Sequence, residues 1–580
     1  MPTNHCAGQA AVKPEYIIKT EKEKVIPCDP SPQVEKTEHE SISIKTSSQN
    51  ETTPEPNSVE TAPPKKKRKG QNKARPRTVP KVESEFRVCP TILRNEECKF
   101  GSNCKFTHDI EKYIQHKPAD IGRECINYRL TGKCRYGIEC RYGSEHISED
   151  HKNIIDEERY ASYCETFFND NTLKKETMIA LRKKQYKFLR SEKYLSRSTV
   201  AVIDIADEKS IGALTDEDLI KLRSNEKKKI DFKDKLYLAP LTTVGNLPFR
   251  RICKKLGADI TCGEMAMTTN LLQGHQGEWA LTKRHETEDI FGVQICGGYP
   301  DTMTKVTELL NNECNIDFID INMGCPIDLV FKKGLGSALM GRLNKLETVI
   351  KGMVEVSDIP ITIKMRTGIY ENKSIAHKVI PIIKEWGVDL MTLHGRSREQ
   401  RYTRAADWSY INECAKLADP VPFFGNGDIL SYEDVLERRE ATGVNGVMIA
   451  RGALIKPWVF TEIKEQRHWD ISSQERFDLL REFTDYGLLH WGSDHKGVEN
   501  TRRFLLEWLS FLHRYIPVGL LEVVPQKINE RPPLYFGRND LETLFASRNA
   551  EDWVKISEML LGPVPENFCF LPKHKANSYS

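Results

Sequence analysis

Between residues 236 and 450 the hydrophobic pattern switches repeatedly between two periods. Eight short apolar runs, at 236–241, 260–262, 291–296, 318–321, 361–364, 390–393, 421–424 and 447–450, have strand character, several being rich in β-branched residues. Segments of helical period separate them, such as 376–386 and 432–441. Eight strand–helix units over about 230 residues predict an α/β fold of the (β/α)8 TIM-barrel type, which ordinarily takes about 250. A doubly wound open sheet is the alternative, but no G-x-G-x-x-G follows the first run.

Outside this region the pattern changes three times. Residues 1–84 are polar and almost free of apolar periodicity, so they are expected to form a disordered tail that buries too little surface to offset chain entropy. Residues 151–232 are highly charged and helical in period; 177–194 mixes basic and apolar positions, and Thr215-Asp216-Glu217-Asp218 reads as a helix start. They predict a helical connector with a basic face. After 467 the strands cease, and 474–491, 501–515, 540–546 and 550–561 read as amphipathic helices. The expected organisation is therefore tail 1–84, a cysteine-rich region 85–150, connector 151–232, barrel 233–466 and all-helical domain with tail 467–580.

The formal charge of +3 on 580 residues is near neutral, so attraction to nucleic acid must come from local clusters. One such cluster, residues 63–81, carries nine basic side chains and no acidic one. Its centre, Pro64-Lys65-Lys66-Lys67-Arg68-Lys69, resembles a monopartite nuclear-import signal read by the import machinery; RNA phosphates are the competing use. No amino-terminal apolar signal region and no 18-residue apolar run are present, which predicts a soluble intracellular protein with no membrane partner. Nucleus and cytoplasm are the expected locations. In that reducing setting the 16 cysteines more often bind metal than pair as disulfides.

Cys89, Cys98, Cys104 and His108 follow a C-x8-C-x5-C-x3-H spacing, and Cys125, Cys134 and Cys140 repeat its first part before His146. Three thiolates and an imidazole give zinc a closed structural shell with no open position for chemistry. The repeat resembles the tandem CCCH zinc fingers, whose members mostly bind RNA. The second set departs by placing five residues between Cys140 and His146, with His151 a weaker substitute. Between the ligands lie Lys99, Phe100, Lys105 and Phe106, then Arg135, Tyr136, Arg141 and Tyr142. Rings of this kind either stack on unpaired bases or pack small finger cores, with the cations meeting phosphates.

The barrel reading gathers polar groups at the carboxyl ends of the strands, where barrel enzymes keep their chemistry. These are Pro240, Leu241 and Thr242 after the first strand, Gln294 in the third, and Asn322 with Cys325 after the fourth. Lys364 with Arg366, His394-Gly395-Arg396, Asn426-Gly427-Asp428 and Ala450-Arg451-Gly452 follow the remaining strands. Barrels commonly hold a phosphate between the last two loops, where Gly427, Gly452 and Arg451 stand. Lys364, Gln294 and His394 would then meet a ring system, which suits flavin mononucleotide (FMN) better than a sugar phosphate. Cys325 sits on a tight turn held by Pro326, a placement less usual for a cysteine that only packs.

Residues 233–570 resemble the tRNA-dihydrouridine synthases. The carriers are Leu238-Ala239-Pro240-Leu241-Thr242-Thr243, Asn322-Met323-Gly324-Cys325-Pro326, Ile363-Lys364-Met365-Arg366-Thr367-Gly368, His394-Gly395-Arg396 and Gly425-Asn426-Gly427-Asp428. With tandem CCCH fingers, the likeness is to the eukaryotic branch assigned to uridine 47 of the tRNA variable loop. The resemblance implies FMN held by Pro240, Leu241, Thr242, Gln294, Lys364, His394, Asn426, Gly427, Asp428, Ala450 and Arg451. It also implies NADPH or NADH as reductant, hydride transfer to C6 of uracil and a proton to C5 from Cys325. Asn322, Arg366, Arg396 and Arg398 are the expected substrate contacts, and messenger RNA is a further candidate substrate. Two rivals remain: a flavin barrel reducing a free pyrimidine or small enone, and a non-catalytic CCCH RNA binder with an idle barrel.

Overall fold

A computed structural model describes residues 8–18, 87–94, 96–165, 168, 170–200, 226–566 and 568–573. The basic cluster at 63–81 and the helix start at 215–218 lie outside these residues.

Eight parallel strands close into a barrel: β1 Leu236–Leu238, β2 Ile260–Cys262, β3 Ile290–Cys296, β4 Phe318–Met323, β5 Ile361–Arg366, β6 Leu390–His394, β7 Phe423–Asn426 and β8 Gly446–Ile449. β1 pairs with both β2 and β8, which removes the sheet edges. The first strand is shorter than its apolar run. Ala239 still donates to the Ile449 carbonyl at 2.9 Å, but Pro240 has no N–H to continue the ladder.

Inward and outward side chains alternate along each strand. On β4, Ile319, Ile321 and Met323 join the core beneath the surrounding helices, whereas Phe318 faces the barrel interior. There Tyr237 meets Phe318 and Phe424 edge-on at ring separations of 6.0 and 6.3 Å. These rings come from β1, β4 and β7, which are not sheet neighbours, so they plug the barrel from within. Each such fully buried ring contributes roughly 1.5–3 kcal/mol of hydrophobic stabilisation. The plug fills the floor and leaves the carboxyl-terminal mouth to polar side chains.

The region expected as a connector packs against the barrel. The stretch of mixed basic and apolar positions at 177–194 falls on two helices, Lys175–Arg182 and Leu189–Val200. Leu181 and Phe188 are buried in the main core, and Ser191 donates through both its N–H and its hydroxyl to Glu308, at 2.8 and 2.5 Å.

The carboxyl-terminal helices are Ser473–Trp491, His495–Leu512, Asp540–Ala546 and Ala550–Leu561. Ser472 caps the first of them in a capping box with Glu475. Trp508 joins this bundle to the barrel, its ring 5.3 Å from Phe249 and 5.1 Å from Phe483. The expectation of a tail without packed structure over 1–84 needs correcting at residues 8–17. Ala10 and Val12 are buried there against Ile516, Leu520, Leu521 and Tyr535, because small apolar side chains fill a groove that the irregular segment after His495–Leu512 leaves open.

Candidate active site and metal centres

The turn after β4 is built by Asn322. Its Oδ1 accepts the N–H of Gly324 at 3.2 Å and of Cys325 at 2.9 Å, the Asx geometry that lets a short side chain stand in for a turn of backbone. Ser337 donates to the Cys325 carbonyl at 2.9 Å, and Arg366 donates to the Gly324 carbonyl at 2.9 Å. Arg366 also reaches the Ser397 carbonyl at 2.8 Å, so one guanidinium ties the β4 turn to the β6 turn. Cys325 is buried among Cys296, Val330 and Leu335. Burial holds its thiol above the ordinary value, so the proton stays on at neutral pH, although Ile327 N–H, Arg366 and Lys364 pull the other way.

A cleft of about 150 Å³, partly open to solvent, lies at the barrel mouth. Of the expected cofactor contacts, Pro240, Leu241, Lys364, His394, Asn426, Gly427, Asp428, Ala450 and Arg451 line it together, as does Arg366. Charge makes it an anion site: Lys364, Arg366 and Arg451 face a single carboxylate, Asp428. Asp428 is itself committed, accepting from Arg451 at 2.8 Å and Arg396 at 2.6 Å. Burial, then the nearby Arg366, lowers the Lys364 ammonium to about 8. Burial and the cations Arg366, Lys364, Arg396 and Arg451 push His394 well below its ordinary value, leaving it neutral at pH 7.

Among the described residues, three buried nitrogens at this end have no hydrogen-bond partner: Nδ1 of His394, Nη1 of Arg396 and Nε of Arg398. Buried polar atoms are ordinarily satisfied. Gly427, with φ +136°, brings backbone to the same place, and a Cβ there would stand 2.5 Å from the Ala406 methyl. The donor set, the surplus cations and the close backbone fit a phosphorylated, polar-edged cofactor such as FMN.

Four expected contacts fall outside the cleft lining, with Cys325 and Arg396 also beyond it. Thr242 is exposed, and Thr243 beside it is held by Glu264 at 2.5 Å. Gln294 donates to Asp320 at 2.7 Å and accepts from Asn322 at 2.8 Å, so its amide is engaged inside the barrel. Asn322 spends its own amide on that bond and on the turn. Arg398 pairs with Asp328 at 2.5 Å and stacks over Phe331 at 4.0 Å. The expectation that Arg396 touches substrate is corrected: the side chain is fully buried between Asp428 and the Arg404 carbonyl. Conversely, Tyr402 and Ile528 line the cleft without having been anticipated. Tyr402 sits in a polar loop, its ring 4.2 Å from the Arg451 guanidinium. Ile528 belongs to a segment with no periodicity, so neither carried a sequence signal.

Both metal-ligand sets assemble. Within Cys89, Cys98, Cys104 and His108, and within Cys125, Cys134, Cys140 and His146, the ligand atoms lie within 4.8 Å of one another. The sulfurs of Cys104 and Cys89 are 3.8 Å apart and those of Cys140 and Cys125 3.6 Å, close to the edge of about 3.8 Å in a zinc–thiolate tetrahedron. His146 Nδ1 lies 3.1 Å from Asn153 Oδ1, and its buried Nε2 has no hydrogen-bond partner among the described residues, which suits a metal and favours His146 over the exposed His151.

The fingers differ in surroundings. The second docks on the turn between the first two carboxyl-terminal helices: Ser493 Oγ is 3.1 Å from the Cys140 sulfur, and Arg141 N–H donates to the Ser493 carbonyl at 2.8 Å. Arg141 is buried on the Ala119 carbonyl, and Tyr142 packs against the core, so these two are structural. In the first finger Lys99 and Lys105 are exposed, and Phe100 is 71% exposed.

Comparison with known proteins gives the family of the chain. The profile described as dihydrouridine synthase (Dus) matches residues 237–502, and that of the DUS3L CCCH zinc finger domain matches residues 80–116. A Xenopus laevis protein named tRNA-dihydrouridine(47) synthase [NAD(P)(+)]-like is 60% identical over 545 residues, covering 90% of this chain and 85% of that one. The Homo sapiens protein of the same name is 54% identical, covering 89% and 84%. In Coprinopsis cinerea, tRNA-dihydrouridine(47) synthase [NAD(P)(+)] is 42% identical over 99% of this chain and 98% of its own length.

Proposed function

Since the chain belongs to the dihydrouridine synthase family and is an oxidoreductase, we propose that it reduces a uridine of tRNA, the one at position 47, to 5,6-dihydrouridine with NADPH or NADH as reductant. The position and the nucleotide come from the names of its relatives. The observation that carries the reading is a cleft lined by Lys364, Arg366, neutral His394 and Arg451 against the single carboxylate of Asp428. FMN bound in the cleft would supply the hydride delivered to C6 of the pyrimidine.

The remaining work falls to side chains of the chain itself. Cys325 donates the proton that C5 needs, as a thiol with a raised pKa at the end of a turn held by Asn322 and Ser337. Lys364 and Arg366 stabilise negative charge developing on the uracil carbonyls. Neutral His394 offers a hydrogen bond without adding charge. The target base must leave its stack to enter the cleft, at a cost of a few kcal/mol that RNA contacts elsewhere offset. Those contacts come from the first finger, through Phe100, Lys99 and Lys105, and from the helical domain. Zinc holds both fingers in a structural role. The basic stretch Pro64–Lys69 directs part of the protein to the nucleus, the rest working in the cytoplasm. An unpaired uridine of messenger RNA meets the same requirements as a second substrate.

The experiment is direct. The purified protein is expected to be yellow, with a flavin absorption spectrum, and to convert uridine in tRNA transcripts but not free uracil. Mapping dihydrouridine in tRNA and messenger RNA from cells with and without the protein identifies the site. A colourless protein, or unchanged modification at position 47, overturns the reading.

A further inference from the structure

The cleft has one wall that the barrel does not supply. Every lining residue falls between Ala239 and Gly452 except Ile528. Ile528 lies in the stretch 513–539, whose only regular element is the single turn Val518–Leu520. Backbone polar groups of such a stretch need partners from outside it.

Those partners come from two directions. On one side, Arg514 donates to the Ile528 carbonyl at 2.9 Å, and Gln526 bridges the Arg514 carbonyl and the Ile516 N–H at 2.8 and 3.1 Å. On the other side stands the amino-terminal segment 8–17. Ala10 N–H donates to the Arg531 carbonyl and Arg531 N–H to the Gly8 carbonyl, both at 3.0 Å. Glu522 N–H donates to the Ala11 carbonyl at 2.8 Å, Lys13 N–H to the Leu520 carbonyl at 2.9 Å and Phe536 N–H to the Tyr16 carbonyl at 3.0 Å. Lys13 Nζ adds the Gly519 carbonyl at 2.8 Å. Val12, 1% exposed, seats the strap on Ile516, Leu520, Leu521 and Tyr535. The turn 527–530 that presents Ile528 to the cleft therefore ends at Arg531, the residue the strap grips from both faces of its peptide.

We propose that Ile528 is a contact of the cofactor bound in the cleft, and that residues 8–17 are the brace that keeps it there, so that flavin retention depends on the first residues of a chain whose barrel starts more than two hundred residues later. The proposal rests on the flavin reading above. An apolar side chain at this place excludes water from the cleft, and its removal or displacement raises the rate at which the cofactor leaves.

The test compares four full-length proteins and one truncation: wild type, Ile528→Ala, Val12→Asp, Glu15→Ala and the chain lacking residues 1–17. Flavin dissociation is followed by the recovery of free-flavin fluorescence on dilution, and hydrogen exchange of the 527–531 amides is measured without flavin. Dissociation is expected to quicken on the order of tenfold in Ile528→Ala, Val12→Asp and the truncation, and to stay at the wild-type rate in Glu15→Ala. Amide exchange is expected to quicken in the truncation and in Val12→Asp, and a synthetic peptide of residues 1–18 to restore both readouts in the truncation. A truncation that holds flavin as wild type does, or whose 527–531 amides stay protected, overturns the brace. If Ile528→Ala alone keeps the wild-type rate, Ile528 is not a contact. A wild-type protein without flavin would refute the earlier reading instead, and the exchange measurement would still judge the brace.

Discussion

Asn322 Oδ1 accepts the backbone N–H of Cys325 at 2.9 Å, so the last inward-facing side chain of β4 also sets the position of the thiol beyond it. The same amide donates to Gln294 at 2.8 Å, Gln294 donates to Asp320 at 2.7 Å, and Thr362 donates to Asp320 at 2.6 Å. Three strands are thereby joined beneath the cleft by one continuous set of side-chain bonds that ends at the sulfur-bearing turn.

Cys325→Ala is expected to keep flavin and to lose turnover on tRNA by about 10²–10⁴-fold, the range for removing a positioned proton donor. Single-turnover reduction of a tRNA transcript measures it. Undiminished turnover would remove the thiol from the chemistry.

Asp320→Asn tests the bonds beneath that turn. An amide keeps one acceptor where Gln294 and Thr362 each donate to a separate carboxylate oxygen, and one buried bond lost or mismatched costs about 1–3 kcal/mol. The expected result is a lower melting temperature with kcat reduced and flavin still bound. A variant with wild-type kcat would mean that the turn is held by Ser337 and Arg366 alone.

Lys364 sets a pH limit. Its ordinary value of 10.5 falls to about 8 in the fold, so the cation is complete only below that pH and disappears as the pH rises through it. Flavin capture by the cofactor-free protein should weaken from about pH 8 upward, and Lys364→Met should abolish that dependence. The stability linkage has the opposite sign: between about 8 and 10.5 the unfolded chain binds the proton that the fold does not, so this residue favours the fold more as pH rises. A titration of flavin fluorescence alongside thermal melts therefore separates lost binding from unfolding.

The two fingers should respond differently to ligand loss. Cys98→Ser is expected to weaken tRNA affinity while melting of the barrel and helical domain is unchanged, since the Phe100 face of that finger is open. Cys140→Ser removes the sulfur that Ser493 faces and should lower the melting temperature by roughly 5–10 °C as well. Equal melting curves for the two variants would show that the docked finger adds no support to the helical domain.

The sequence by itself determined whatever depends on neighbours in the chain. Strand and helix periods located all eight barrel strands to within a few residues, and the repeated cysteine spacing picked out two ligand sets whose atoms the fold brings together. Residues at the strand ends, from Pro240 to Arg451, were readable as one rim because a parallel barrel puts every carboxyl end on the same side. Only the tertiary structure decided how those groups are spent. Arg396 turned inward because Asp428, 32 positions on, stands 2.6 Å away, and Gln294 was claimed by Asp320 from the next strand. Ile528, the strap at 8–17 and the docking of the second finger on Ser493 join segments hundreds of residues apart. Periodicity and spacing report local geometry, whereas the choice of a partner for a charge, an amide or an unpaired backbone group is made by distance in space.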